Sequence, residues 1–195
     1  MDAIVQVQGL HKTYGATVAV EDISFTVREG EIFGMVGPNG AGKTTTIKMI
    51  TGILTPDSGD ILVNGLDLRK EPLAVKRSFG FVPDDPNIFP RLKAVEYLRF
   101  MGDIYQVPPD RLRERIQELT ERFSLDQVLT DRIQSYSHGM RQKLMIIGAL
   151  LHDPDLWILD EPMTGLDPKS AFVLKEMMRA QADSGKTVFF STHVL

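Results

Sequence analysis

The stretch Gly37-Pro38-Asn39-Gly40-Ala41-Gly42-Lys43-Thr44 decides how this chain reads. It matches G-x-x-x-x-G-K-[ST] in full. It follows a short apolar strand pattern over Glu31–Val36 and precedes a helical pattern over Thr44–Ile50 that stops at Gly52. Glycines at this spacing let the backbone curl with its N–H groups inward, a cradle for anionic phosphates. A helix starting near Gly42 adds the positive end of its dipole. Lys43 is expected to reach the β- and γ-phosphates and the Thr44 hydroxyl to ligate Mg²⁺. Residues Gly37 to Thr45 together make the expected nucleotide contact: Gly37, Pro38, Asn39, Gly40, Ala41, Gly42, Lys43, Thr44 and Thr45. The competing reading is a glycine-rich turn with a chance lysine, and the strand before and helix after argue against it.

A second cluster lies far downstream. Leu156-Trp157-Ile158-Leu159-Asp160-Glu161 is an apolar strand that ends in two carboxylates. Alone this usually marks an exposed strand end. Downstream of a complete phosphate loop it gains a purpose: Asp160 reaches Mg²⁺ through its water shell, and Glu161 polarises a water for in-line attack. An acidic residue directly after the Mg²⁺ aspartate is generally missing from kinases and GTPases with such loops.

The remaining pattern fits an α/β chain. Ile4–Tyr14 and Thr17–Val27 alternate loosely about Gly15-Ala16 and predict two antiparallel strands; Arg28-Glu29-Gly30 and Pro56-Asp57-Ser58-Gly59 predict turns. Asp60–Val63, Phe79–Val82 and Thr187–Ser191 read as further strands, and His138–Leu151 and Pro168–Ala182 as helices. Strands alternating with helices indicate a parallel sheet. From Ala94 to about Phe123 the apolar residues recur at helical spacing, with a break at Pro108-Pro109. The expected fold is therefore a P-loop NTPase core with a parallel sheet, an N-terminal antiparallel β region and an inserted helical subdomain. We expect one domain over 1–195, with the core at 1–85 and 136–195 and the helical subdomain at 86–135. The chain stops at Leu195 with no turn or cap, which leads us to expect a truncated end or a disordered tail.

Composition narrows the classes. The chain has 195 residues, 43% apolar and 25% charged, ordinary for a globular protein, and a formal net charge of -4, without the basic excess of a duplex-DNA binder. No nucleic acid partner is expected. It contains no cysteine, which excludes disulfides and thiolate metal sites. His11, His138 and His152 have no metal-ligand spacing. The N-terminus lacks the pattern of a signal peptide, and no apolar run approaches the ~20 residues that span a bilayer.

Between the two clusters lies Tyr136-Ser137-His138-Gly139-Met140-Arg141-Gln142-Lys143. This resembles the L-S-G-G-Q signature of ABC ATPases, the nucleotide-binding subunits of ABC transporters, and the resemblance runs from Tyr14 to His193. It implies an ATP-hydrolysing subunit, with ATP and Mg²⁺ as ligands, peripheral on the cytoplasmic face of a membrane. The implied partners are transmembrane permease subunits and a second copy or paralogue packed head to tail. It also implies roles by position. Tyr14 stacks on adenine, Ser137 and Gly139 hold the γ-phosphate, and Gly165-Leu166-Asp167 contacts the partner subunit. His193, in Ser191-Thr192-His193, is the switch histidine beside the catalytic Glu161 and Lys43. Two positions depart from the pattern. His138 and Met140 replace a glycine and the glutamine of the signature, a variant similar to that of simple exporters with separate membrane subunits. Asp84, in Phe81-Val82-Pro83-Asp84-Asp85-Pro86, stands where the family usually has glutamine near Mg²⁺.

Soluble members of the same superfamily are the alternative. Those of DNA repair and chromosome structure insert a long coiled coil before the signature, and no sustained heptads occur here. Translation-associated members carry two ATPase domains, and this chain has one set of motifs. A module that only binds ATP has no need of Glu161 and His193.

Overall fold

A computed structural model describes residues 2–86 and 88–193. The chain opens with two long strands, β1 (Ala3–Tyr14) and β2 (Thr17–Arg28), paired antiparallel. Then come β3 (Ile32–Val36), α1 (Lys43–Ile50), β4 (Ser58–Val63), β5 (Leu66–Asp67), α2 (Pro72–Arg77) and β6 (Phe79–Val82). Two helices follow, α3 (Ala94–Ile104) and α4 (Pro109–Arg122), then α5 (His138–Leu150), β7 (Leu156–Leu159), α6 (Pro168–Asp183) and β8 (Thr187–Thr192).

The strands form two sheets. One is antiparallel in the order β2-β1-β4-β5, and the other is parallel in the order β3-β8-β7-β6. In the parallel sheet β7 is covered on both faces, so it reads as a continuous apolar run, whereas β3 leaves Ile32 and Val36 exposed. Strand β7 shows the consequence. Leu156 and Ile158 pack into a core with Ile47, Ile50 and Val63, whereas Trp157 and Leu159 pack into a second core with Leu98, Ile116 and Leu144. Successive side chains of a strand point to opposite faces, so four residues serve two cores. Val188 and Phe189 of β8 divide in the same way.

The boundaries differ from the sequence reading in small ways with local causes. Helix α1 starts at Lys43, because Gly42 adopts a left-handed φ of 80° and closes the loop before it. Strand β4 starts at Ser58 because Ser58 still pairs with His11 of β1. Pro109 occupies the first turn of α4, where its missing N–H costs no helical bond. Strand β5 and helix α2 were not expected; with two and six residues they are too short to leave a periodic signal.

Candidate functional site

In an open parallel sheet, function gathers at the carboxyl ends of the strands. Here Val36 of β3 lies opposite Thr192 of β8, and Leu159 of β7 lies opposite Phe190. The residues that leave these strands, Gly37, Asp160 and His193, therefore emerge along one edge. The Gly37 N–H donates to the Thr192 carbonyl at 3.2 Å, which fixes the start of the loop to β8. Within the loop, Ala41 N–H donates to the Pro38 carbonyl at 3.2 Å. A Cβ on Gly42 would stand 2.4 Å from the Ala19 carbonyl of β2, so glycine is needed both for its φ and for this close approach.

The loop borders a cavity of about 370 Å³. Asn39, Gly40, Ala41, Gly42, Lys43, Thr44 and Thr45 form one wall, Tyr14 with Thr17, Val18 and Ala19 another, and Asp84 and Glu161 the far side. Tyr14 is exposed at 51%, with the Lys12 ammonium 6.0 Å from its ring centroid. Lys43 is 7% exposed, and its ammonium donates to the carbonyls of Gly37 at 2.7 Å and Pro38 at 3.0 Å. It also stands 3.5 Å from Glu161 Oε1. The Thr44 hydroxyl donates to Asp160 Oδ1 at 3.2 Å, joining the two clusters across 116 positions of sequence.

Behind this contact lies a residue that sequence reasoning gave no role. Ser191 is fully buried; its hydroxyl donates to Asp160 Oδ1 at 2.6 Å and accepts the Glu161 N–H at 2.9 Å. A hydroxyl has one proton to give and lone pairs to receive, so a single serine orients both acidic residues. The signal was present: a serine ending an otherwise apolar strand. The Glu161 backbone turns left-handed, at φ 46°, which is unusual for a side-chain-bearing residue and characteristic of functional sites. Its Oε2 contacts His193 Nδ1 at 2.8 Å and the His193 backbone N–H at 3.3 Å. The Nδ1 contact is attractive only with the proton on Nδ1, which leaves Nε2 of a neutral ring as an acceptor. Glu161 and His193 also line a second cavity, about 510 Å³, on the other side of the glutamate.

The acidic groups crowd. Burial pushes the Asp84 carboxyl above its ordinary range, the charges of Asp160, Glu161 and Asp85 push it the same way, and His138 opposes them. Such a concentration of hard oxygen donors suits Mg²⁺, which keeps several waters and binds through few protein ligands plus phosphate. Among the described residues no three acidic or histidine side chains converge into a protein-only metal cage. Thr44, Asp160 and Asp84 are the residues that could hold such an ion.

Ser137 and Gly139 are elsewhere. They start α5, and neither borders the cavity of the glycine loop. The Ser137 hydroxyl caps its own helix, accepting the Met140 N–H at 3.2 Å. His152 is structural: it stacks on Tyr105 at 3.6 Å between ring centroids and lies 3.2 Å from the Phe79 carbonyl.

Comparison with known proteins agrees with this geometry. Residues 20–164 match the family model described as ABC transporter. The linearmycin resistance ATP-binding protein LnrL of Bacillus subtilis is 38% identical over 98% of this chain. The Nod factor export ATP-binding protein I of Cupriavidus metallidurans is 36% identical over all of it. The chain spans 62% and 64% of the lengths of these two relatives. A solved structure described as the ATP-binding subunit of an ABC transporter superposes with a TM-score of 0.93 at 37% identity, covering 98% of this chain and 80% of that one. With a family model matched over most of its length and the glycine loop, Asp160, Glu161 and His193 gathered on one sheet edge, the chain belongs to the ABC transporter family.

Proposed function

We propose that the chain binds ATP with Mg²⁺ and hydrolyses it to power export through separate transmembrane subunits, on the cytoplasmic face of a membrane. The observation that carries this reading is the convergence of Lys43, Thr44 and Glu161 on one cavity beside an exposed tyrosine, with buried Asp160 bonded to Thr44 behind it. Export is favoured over the soluble alternatives by the relatives, whose names speak of resistance and of Nod factor export. No helix of the described residues is long and apolar enough to cross a membrane, so on this reading the membrane passage belongs to partner subunits.

The loop N–H groups and Lys43 neutralise the phosphates, and Tyr14 stacks on the adenine. Thr44 and Asp160, with Asp84 facing the same space, would hold Mg²⁺, which screens the phosphate charge when bound. Glu161, fixed by Ser191 from behind and by His193 from the side, takes a proton from the attacking water. His193 borders the adjoining cavity and acts here through its contact with Glu161. Ser137 and Gly139 lie outside this cavity and serve the nucleotide of a second copy, in a two-fold arrangement where each copy completes the other's site. The helices of 86–135 act as a subdomain that carries the opening and closing to the membrane subunits.

Glu161→Gln tests this reading. ATP affinity is expected to stay within a few-fold while turnover falls about 10²- to 10⁴-fold, the usual contribution of a positioned base. Turnover at the wild-type rate would remove Glu161 from the role.

A further inference from the structure

Helix α5 begins with Ser137 as its cap and His138 as its first residue. His138 is exposed overall, yet one edge of its ring rests against the chain. It sits on Gly165, where an added Cβ would lie 2.2 Å from His138 Cδ2 and 2.8 Å from Nε2. One residue on, a Cβ at Gly139 would stand 2.6 Å from the Gly165 carbonyl. The next turn continues the contact. Gln142, 1% exposed, directs its amide toward the Pro162 carbonyl at 3.5 Å, and Lys143 pairs with Asp167 at 3.1 Å. The first two turns of α5 thus hold the segment 162–167 at both ends and in the middle. That segment leaves directly from Glu161, whose left-handed backbone and hydrogen bond to Ser191 give it little slack.

We propose that His138 is a positioning residue: seated on Gly165, it locks the segment 162–167 to the start of α5 and so fixes the aim of Glu161. This rests on the hydrolytic reading above and adds to it a role for the histidine that replaces a glycine in the signature. The pair is matched in size, because the imidazole has room only where residue 165 has no side chain. Glutamate aim and the position of Ser137 then become one rigid property of the chain, and a small displacement at the reacting atoms costs much rate.

Two measurements test it on the whole chain. Amide hydrogen exchange without nucleotide reads the lock directly. His138→Ala is expected to speed exchange in 162–167 severalfold while the 37–44 loop stays unchanged; equal protection in both chains overturns the lock. Steady-state ATP turnover reads the positioning. His138→Ala is expected to lower kcat severalfold with KM for ATP within twofold, and unchanged kcat overturns the positioning role even if exchange rises. Gly165→Ala adds specificity. Its left-handed φ of 75° makes alanine costly in any background. The kcat loss is nevertheless expected to be several times larger beside His138 than beside His138→Gly, where the ring is gone. An equal loss in both backgrounds contradicts the seating of the ring. A wild-type chain that does not turn over ATP would defeat the hydrolytic reading and with it the positioning role, while exchange still decides the lock.

Discussion

Two helices of this chain begin with groups suited to phosphate, and they are not alike. Helix α1 starts from Gly42, which has no side chain to cap it, so its first N–H groups open into the 370 Å³ cavity beside Lys43 and Thr44. Helix α5 starts from Ser137, whose hydroxyl accepts its own Met140 N–H, on an exposed surface away from that cavity. The first is surrounded by what a reaction needs: a cation, a hydroxyl, buried Asp160, and Glu161 held on two sides. The second has a spare hydroxyl proton and backbone donors, and His138 beside them is seated on Gly165. The difference teaches that the groups for chemistry gather at α1; on the proposed reading α5 serves as a lid over another copy's nucleotide.

That contrast can be broken at several points. The largest effect is expected at Lys43, whose charge-assisted contacts to phosphate are each worth about 1.5–3 kcal/mol. Lys43→Ala should weaken ATP affinity by on the order of 10²-fold in an isothermal titration, and unchanged affinity would put the phosphates elsewhere. Ser191→Ala removes the donor to Asp160 and the acceptor for the Glu161 N–H, buried groups whose loss costs about 1–3 kcal/mol. It should lower kcat about tenfold or more with little change in ATP affinity, and a loss confined to affinity would show that Ser191 serves binding alone. Ser137→Ala should leave ATP binding by the single chain unchanged yet lower turnover about tenfold, measured as kcat against protein concentration. A loss of affinity in the lone chain would mean that α5 serves its own nucleotide.

The smallest effect concerns acid stability at the end of the segment held by α5. Hydrogen bonds from the Ser170 hydroxyl and N–H, with Lys143 beside them, hold the Asp167 carboxyl well below the usual carboxylate range. A folded-state value below the unfolded one contributes stability above the unfolded pKa of about 3.9, lost as pH falls below it. Asp167→Asn should therefore flatten the fall in Tm at acid pH and lower Tm slightly at pH 7; identical acid profiles would show that the cap is not coupled to folding.

Much of this was legible in the sequence because the signals are local. The glycine loop announces itself within eight residues, and β7 as an apolar run ending in Asp160 and Glu161. The 3.6-residue spacing over Ala94–Phe123 showed α3 and α4. What stayed hidden depends on strand neighbours. The double role of Ser191 exists only because β8 lies beside β7, a pairing made across the whole of α6. The seating of His138 on Gly165 joins a helix start to a loop reached only after β7. Asp84 is flagged by its departure from the family, but its crowding by Asp160 and Glu161 follows from β6 pairing with β7. Strand β5 and helix α2 were simply too short to read.

The central claim is that one copy's α1 and another copy's α5 make a working site. Lys43→Ala spoils the cradle and spares Ser137; Ser137→Ala does the reverse. Each variant alone is expected to turn over ATP poorly. Mixed, they can pair so that an intact cradle meets an intact Ser137. The account predicts ATP turnover by the mixture well above the sum of the two variants measured separately. Turnover equal to that sum would contradict it and place the whole site within a single chain.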